Sequence, residues 1–195
     1  MLNISTEVHN KNFKANDQNA WERGANLLQL GVNYRGSDIV VDEANGSEGE
    51  VNVNPYSIDG FLKGGDRAPD APGLIDLKAN DGTLTRLFDI FKPQYHTALV
   101  FLHRDVEQSI PVLQGLQQYP AVRSVILHPQ GTEQFASSAF ADFVLKDLEG
   151  HAYQAYAISS HAPAITIYIV RPDGVIGGLV HGVEGVGKYF SRIYA

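Results

Sequence analysis

Two short segments carry the side chains best suited to chemistry, His103-Arg104-Asp105 and Ser160-His161-Ala162-Pro163, and His128 stands between them in the chain. An imidazole titrates near neutral pH and both takes and gives a proton, while an arginine presents two donors to an enolate or phenolate oxygen. Together with a carboxylate they suit proton transfer without a cofactor: isomerisation, cyclisation, dehydration or ring closure of a phenolic or polyketide-like molecule. On this reading His103, Arg104, Asp105 and His161 are the candidate catalytic residues. His128, Pro163 and Tyr168 are the candidate substrate-binding residues, a tyrosine offering a planar molecule an apolar face and a polar tip. The same groups also fit a plainer role as solvated residues at strand ends and loop tips. No HxH or HxxxH spacing prearranges a metal site, so no metal is expected.

Other chemistries are excluded by what the composition lacks. None of the 195 residues is cysteine, which removes disulfides, thiolate nucleophiles, Cys-zinc sites and CxxC redox cycling together. Fifteen Lys+Arg against 22 Asp+Glu give a formal charge of −7, and the basic residues do not cluster, so nucleic acid is not an expected partner. No run approaches the ~18 apolar residues that a membrane span needs, and the first residues lack an apolar signal core. A cytoplasmic chain with no membrane partner is the expectation. The segment Gly182-Val183-Glu184-Gly185-Val186-Gly187-Lys188 fits the P-loop pattern up to its lysine, but Tyr189 stands where a hydroxyl should meet magnesium. It reads as a glycine-rich turn ahead of the last helix, with no nucleotide or other cofactor.

The elements that must position these residues lie mostly in the last two thirds of the chain. Residues 1–60 are rich in Asn, Gly and acidic groups and read as an extension, with a short helix over Ala20–Leu30 and a strand over Asp38–Asp42. Residues 61–195 read as one domain. Leu74–Leu77 reads as a strand and Leu84–Phe91 as a short helix. Thr97–Leu102 is a continuous apolar run, as a strand buried on both faces requires. Glu107–Gln118 has helical spacing at Ile110, Leu113 and Leu116, and Ser124–Leu127 is a second buried strand, parallel to the first by the crossover rule. Ala139–Leu145 and Ala152–Ala157 read as helices. Ala164–Val170 and Val175–Val180 form a hairpin about Arg171-Pro172-Asp173-Gly174, and Val186–Tyr194 closes as a helix. The fold class is α/β, and the order β-α-β-α-β-β-α is the thioredoxin-like arrangement: a central mixed sheet with flanking helices. In that arrangement residues 103–105 and 160–163 occupy the corner where thioredoxins hold their redox pair.

Several blocks also resemble a known family. They are Gly65-Asp66-Arg67-Ala68-Pro69-Asp70, Arg86-Leu87-Phe88-Asp89, His96-Thr97-Ala98-Leu99-Val100-Phe101, and Val170-Arg171-Pro172-Asp173-Gly174-Val175-Ile176-Gly177 with Tyr189-Phe190. In this order they resemble the C-terminal thioredoxin-like domain of flavin-dependent aromatic monooxygenases of the phenol 2-monooxygenase (phenol hydroxylase) type. Leu30-Gly31-Val32-Asn33-Tyr34-Arg35-Gly36-Ser37 looks like the tail of the preceding flavin domain. A full enzyme of that kind begins with a GxGxxG dinucleotide-binding unit, which is missing here. The resemblance therefore implies a non-redox, flavin-free module used for packing and subunit contacts, and with it a homodimer.

Three functions are compatible with these readings. The first is a module of that type, acting by binding or self-association. The second is a cofactor-independent isomerase, cyclase or lyase of aromatic secondary metabolism, with a small aromatic molecule as its partner. The third is an accessory subunit of a separate flavin monooxygenase.

Overall fold

A β-branched, apolar run has only one way to bury both its faces, which is as a central strand covered by helices above and below. Two such runs organise the molecule, a computed structural model that describes residues 32–45, 62–79, 82–102, 107–132, 139–159 and 163–194. The strands are β1 (Val41–Asp42), β2 (Leu74–Asp76), β3 (Leu84–Thr85), β4 (His96–Leu102), β5 (Val122–His128), β6 (Phe143–Asp147), β7 (Ile165–Val170) and β8 (Ile176–Val180). The helices are α1 (Leu87–Ile90), α2 (Ser109–Leu116), α3 (His151–Ala155) and α4 (Val183–Ser191).

β4 and β5 are the expected parallel pair, in register from His96 opposite Val122 to Phe101 opposite Leu127. β7 lies antiparallel on the other side of β4 and turns back into β8. All eight strands form one sheet, in the order β1-β8-β7-β4-β5-β6-β2-β3. Alternation along the strands sends side chains to two separate cores. One face holds Val100, Leu102, Ile126 and Ile167 under Leu113 and Leu116 of α2 and Val186, Tyr189 and Phe190 of α4. The other holds Leu99, Phe101, Leu127, Leu145 and Tyr168 under Leu87 of α1 and Ala152 of α3. The result is three layers, helix, sheet and helix.

Two sequence expectations give way here. Ala139–Leu145 was expected to be helical, yet Phe143–Asp147 is the strand β6, parallel to β5. Val144 and Leu145 are fully buried on opposite faces, and the β5 edge needs a hydrogen-bonding partner, so tertiary pairing overrides the helical preference of the alanines. Leu84–Phe91 was expected to be one helix, but Leu84–Thr85 pairs with β2 and only Leu87–Ile90 is helical. Arg86 is extended and ion-paired to Asp70, whose second oxygen accepts the Phe88 N–H at 2.9 Å, so the carboxylate stops the helix from reaching further back. The expected helix over Ala20–Leu30 lies outside the described residues.

The described part of the N-terminal extension joins the sheet. β1 pairs in parallel with β8, Val41 opposite Gly178. Further back, Tyr34 N–H donates to Gly65 O at 2.7 Å, and Gly65 N–H to Ile176 O at 2.7 Å. A Cβ on Gly65, whose φ is +95°, would stand 2.4 Å from Arg35 N, so only glycine lets these backbones meet.

Candidate functional site

β4, β5, β6, β8 and β1 all run the same way, so they end at one edge of the sheet, where β7 begins. Leu102 pairs with Ile165, and Phe101 with Leu127. The chain leaving β4, the last residue of β5 and the chain entering β7 are therefore on three neighbouring strands. His103, Arg104, Asp105 and His161 lie outside the described residues; the ends to which they attach, Leu102 and Pro163, are at this edge.

His128 closes β5 with 2% of its surface exposed. Burial lowers the pKa of its imidazole, which favours the neutral ring at pH 7. Pro163 is exposed just ahead of β7. Tyr168 is elsewhere. It packs edge-on against Phe101 in the core beneath α1 and α3, and its hydroxyl donates to Tyr156 O at 2.9 Å. Burial first, and the charge of Asp42 second, push its phenol up to about 12. His128 follows Ile126 on the α2 face, so His128 and Tyr168 are on opposite faces of the sheet and do not line one pocket.

The edge also holds groups that sequence reasoning missed. The Tyr153 hydroxyl lies 2.7 Å from Leu102 O and 2.8 Å from Leu127 O, so one phenol proton is shared between the last carbonyl of β4 and the penultimate one of β5. Burial raises its pKa well above the ordinary value. Asp147, with none of its surface exposed, accepts the Ala152 and Tyr153 N–H groups at 2.8 and 3.2 Å and so fixes the helix that carries Tyr153. An aspartate at a strand end six residues before a helical tyrosine was the available signal, a capping pattern. At the far flank Glu43 accepts the His181 N–H at 2.9 Å, against the start of α4. The glycine-rich segment that imitated a P-loop is thus the first half of a helix with a carboxylate already beside it, an arrangement that repels phosphate. Among the described residues no three His, Asp or Glu side chains are grouped to hold a metal ion, and no helix is long and apolar enough to cross a membrane.

No family model matches the chain. Among solved structures it is similar to the thioredoxin domain of a thiol-disulfide oxidoreductase from Bacteroides vulgatus, with a TM-score of 0.51, 15% identity, and 69% of this chain and 99% of that one covered. It is likewise similar to a thiol peroxidase from Chromobacterium violaceum, with a TM-score of 0.50, 13% identity, and coverage of 69% and 90%. The fold is thioredoxin-like. A third structure, the flavin-dependent monooxygenase PieE, matches over 96% of this chain and 32% of its own at a TM-score of 0.51 and 14% identity. In sequence the chain is 27% identical over 193 residues to a flavin-dependent monooxygenase of Mycobacteroides abscessus. That alignment takes in 99% of this chain, which spans 28% of the relative's length. The thioredoxin-like frame and the monooxygenase relation both agree with the sequence reading.

Proposed function

We propose that the chain is a non-redox thioredoxin-like module of the kind joined to flavin-dependent aromatic monooxygenases, working by binding and self-association and not itself hydroxylating. The observation that carries this is the thioredoxin-like frame in a chain without a single cysteine. Thiol-disulfide exchange needs a thiolate, and here there is none. The similarity to a flavin-dependent monooxygenase along 99% of the chain supports the same reading. Self-association to a homodimer is supported by the exposed apolar side chains at the β3 end of the sheet, where Leu84 and Phe88 are 62% and 53% exposed and no further described strand follows. The test is sedimentation velocity of the full chain and of Phe88→Glu, with an absorption spectrum of each. A colourless dimer that Phe88→Glu turns into a monomer is expected; a monomeric wild type, or a flavin band that survives gel filtration, overturns the proposal.

A second reading is favoured by the meeting of the β4, β5 and β7 ends. There His103 or His161 would act as acid-base group, Arg104 would hold an oxyanion with Asp105 beside it, and His128 would face a small aromatic substrate. Under this reading His103→Ala and His161→Ala abolish isomerisation, cyclisation or elimination of a phenolic substrate without lowering the melting temperature. Full turnover by both variants removes the site.

A further inference from the structure

At the opposite edge of the sheet, where β5 and β6 begin and α2 ends, Leu116, Tyr119, Val122, Phe140, Ser124 and Asp142 line a cavity of about 220 Å³. Leu116, Tyr119, Val122 and Phe140 form its apolar side, and Gln117, Ser124 and the exposed Asp142 form the polar side. Asp142 Oδ2 accepts the Ser124 N–H at 2.7 Å and the Ser124 hydroxyl at 3.0 Å, and the Asp142 N–H donates back to Ser124 O at 3.0 Å. Asp142 Oδ1 enters none of these bonds. Among the described residues no cation pairs with Asp142; the nearby Lys78 ammonium donates instead to Ala141 O at 2.5 Å. The ring of Tyr119 is fixed from behind, stacked on Phe190 with centroids 4.3 Å apart.

A preoriented carboxylate with one oxygen to spare, set beside the half-buried rings of Tyr119 and Phe140, favours a cation that carries its own flat apolar surface. A cavity of roughly 150 Å³ takes a benzene ring, and the remaining space here accommodates a short aminoalkyl arm. The net charge of −7 favours cations over anions at the entrance. We propose that this cavity binds a small arylalkylamine, with its ring between Tyr119 and Phe140 and its ammonium donating to Asp142 Oδ1. The site is separate from the carboxyl edge and does not depend on either reading of it.

The test is calorimetric titration of the full chain with 2-phenylethylamine, together with amide chemical-shift mapping. A Kd at or below about 1 mM is expected, with shifts centred on residues 116–124 and 140–142. 2-Phenylethanol, the neutral analogue, binds about tenfold more weakly or worse, as loss of one charge-assisted hydrogen bond requires. Asp142→Asn weakens the amine by a similar factor, and its amide oxygen can still accept from Ser124. Equal affinity for alcohol and amine, no heat with the amine, or shifts centred elsewhere overturns the proposal. The alcohol comparison uses the wild type and stands even where the variant does not fold.

Discussion

Arg35 grips Asp66 side-on, Nε to Oδ1 at 2.7 Å and Nη2 to Oδ2 at 2.9 Å, across 31 residues of chain. The two side chains are only 9% and 14% exposed, and Asp66 also accepts the Lys63 N–H at 2.9 Å. The pair ties the N-terminal extension to the turn that feeds the sheet edge. A nearly buried pair loses about 3 kcal/mol when one partner is removed, because the other charge stays behind. Asp66→Asn should therefore lower the urea midpoint far more than Asp89→Asn, an exposed control. Equal midpoints for the two variants would mean that the Arg35–Asp66 pair adds nothing to stability.

Gly185 lets α4 approach β8 and Glu43 at once. A Cβ there would stand 2.6 Å from Val180 Cβ and 2.7 and 2.8 Å from the two Glu43 carboxylate oxygens. The Val180 Cβ is anchored in a strand and cannot rotate away. Gly185→Ala should cost about 1–3 kcal/mol by overpacking, despite alanine's better helix propensity. The measurement is a thermal melt beside Gly187→Ala, whose Cβ would meet only Tyr119 Oη at 3.9 Å and should be neutral or stabilising.

The central strands were legible because Thr97–Leu102 and Ser124–Leu127 are unbroken apolar runs, and such runs have only one home in an α/β protein. The hairpin was legible too, since Asp173 accepts the Val175 N–H at 3.2 Å as a turn aspartate should. β6 was not. Its five residues have no strict alternation, and only the exposed β5 edge decides their conformation. The site divides in the same way. That His128 ends β5 follows from the sequence, but that Tyr168 faces the other side depends on strand phase, which one residue reverses. The bridging role of Tyr153 depends on a helix orientation set by Asp147, which the spacing of the residues alone does not fix.

Tyr153→Phe removes one oxygen and leaves the Leu102 and Leu127 carbonyls, 2.7 and 2.8 Å from it in the wild type, without that donor. The ring remains edge-on against Phe101, so packing is kept. The expected cost is about 1–3 kcal/mol, the range for an orphaned buried polar group. Hydrogen exchange should quicken at the β4 and β5 ends before it changes at β8. Uniform loss of protection would instead make Tyr153 an ordinary core residue.

Among the described residues two imidazoles, those of His96 and His128, have lowered pKa values. His96 meets the rings of Tyr189, Phe190 and Tyr194 at 5.9, 5.7 and 6.4 Å, and burial first, then Arg171, lowers its pKa. His128 is lowered by burial. A base with a depressed folded pKa takes its proton more readily when unfolded, so stability is full above the ordinary value of 6.5 and falls as pH drops below it. The loss continues until the folded pKa is reached, at no more than about 1.4 kcal/mol per pH unit for each imidazole. Urea unfolding between pH 7.5 and 5 should show this decline well above the range where carboxylates titrate. His96→Phe and His128→Gln should each flatten it, and the double variant should nearly abolish it. A wild type whose stability is constant across that window would mean that neither ring stays neutral in the fold.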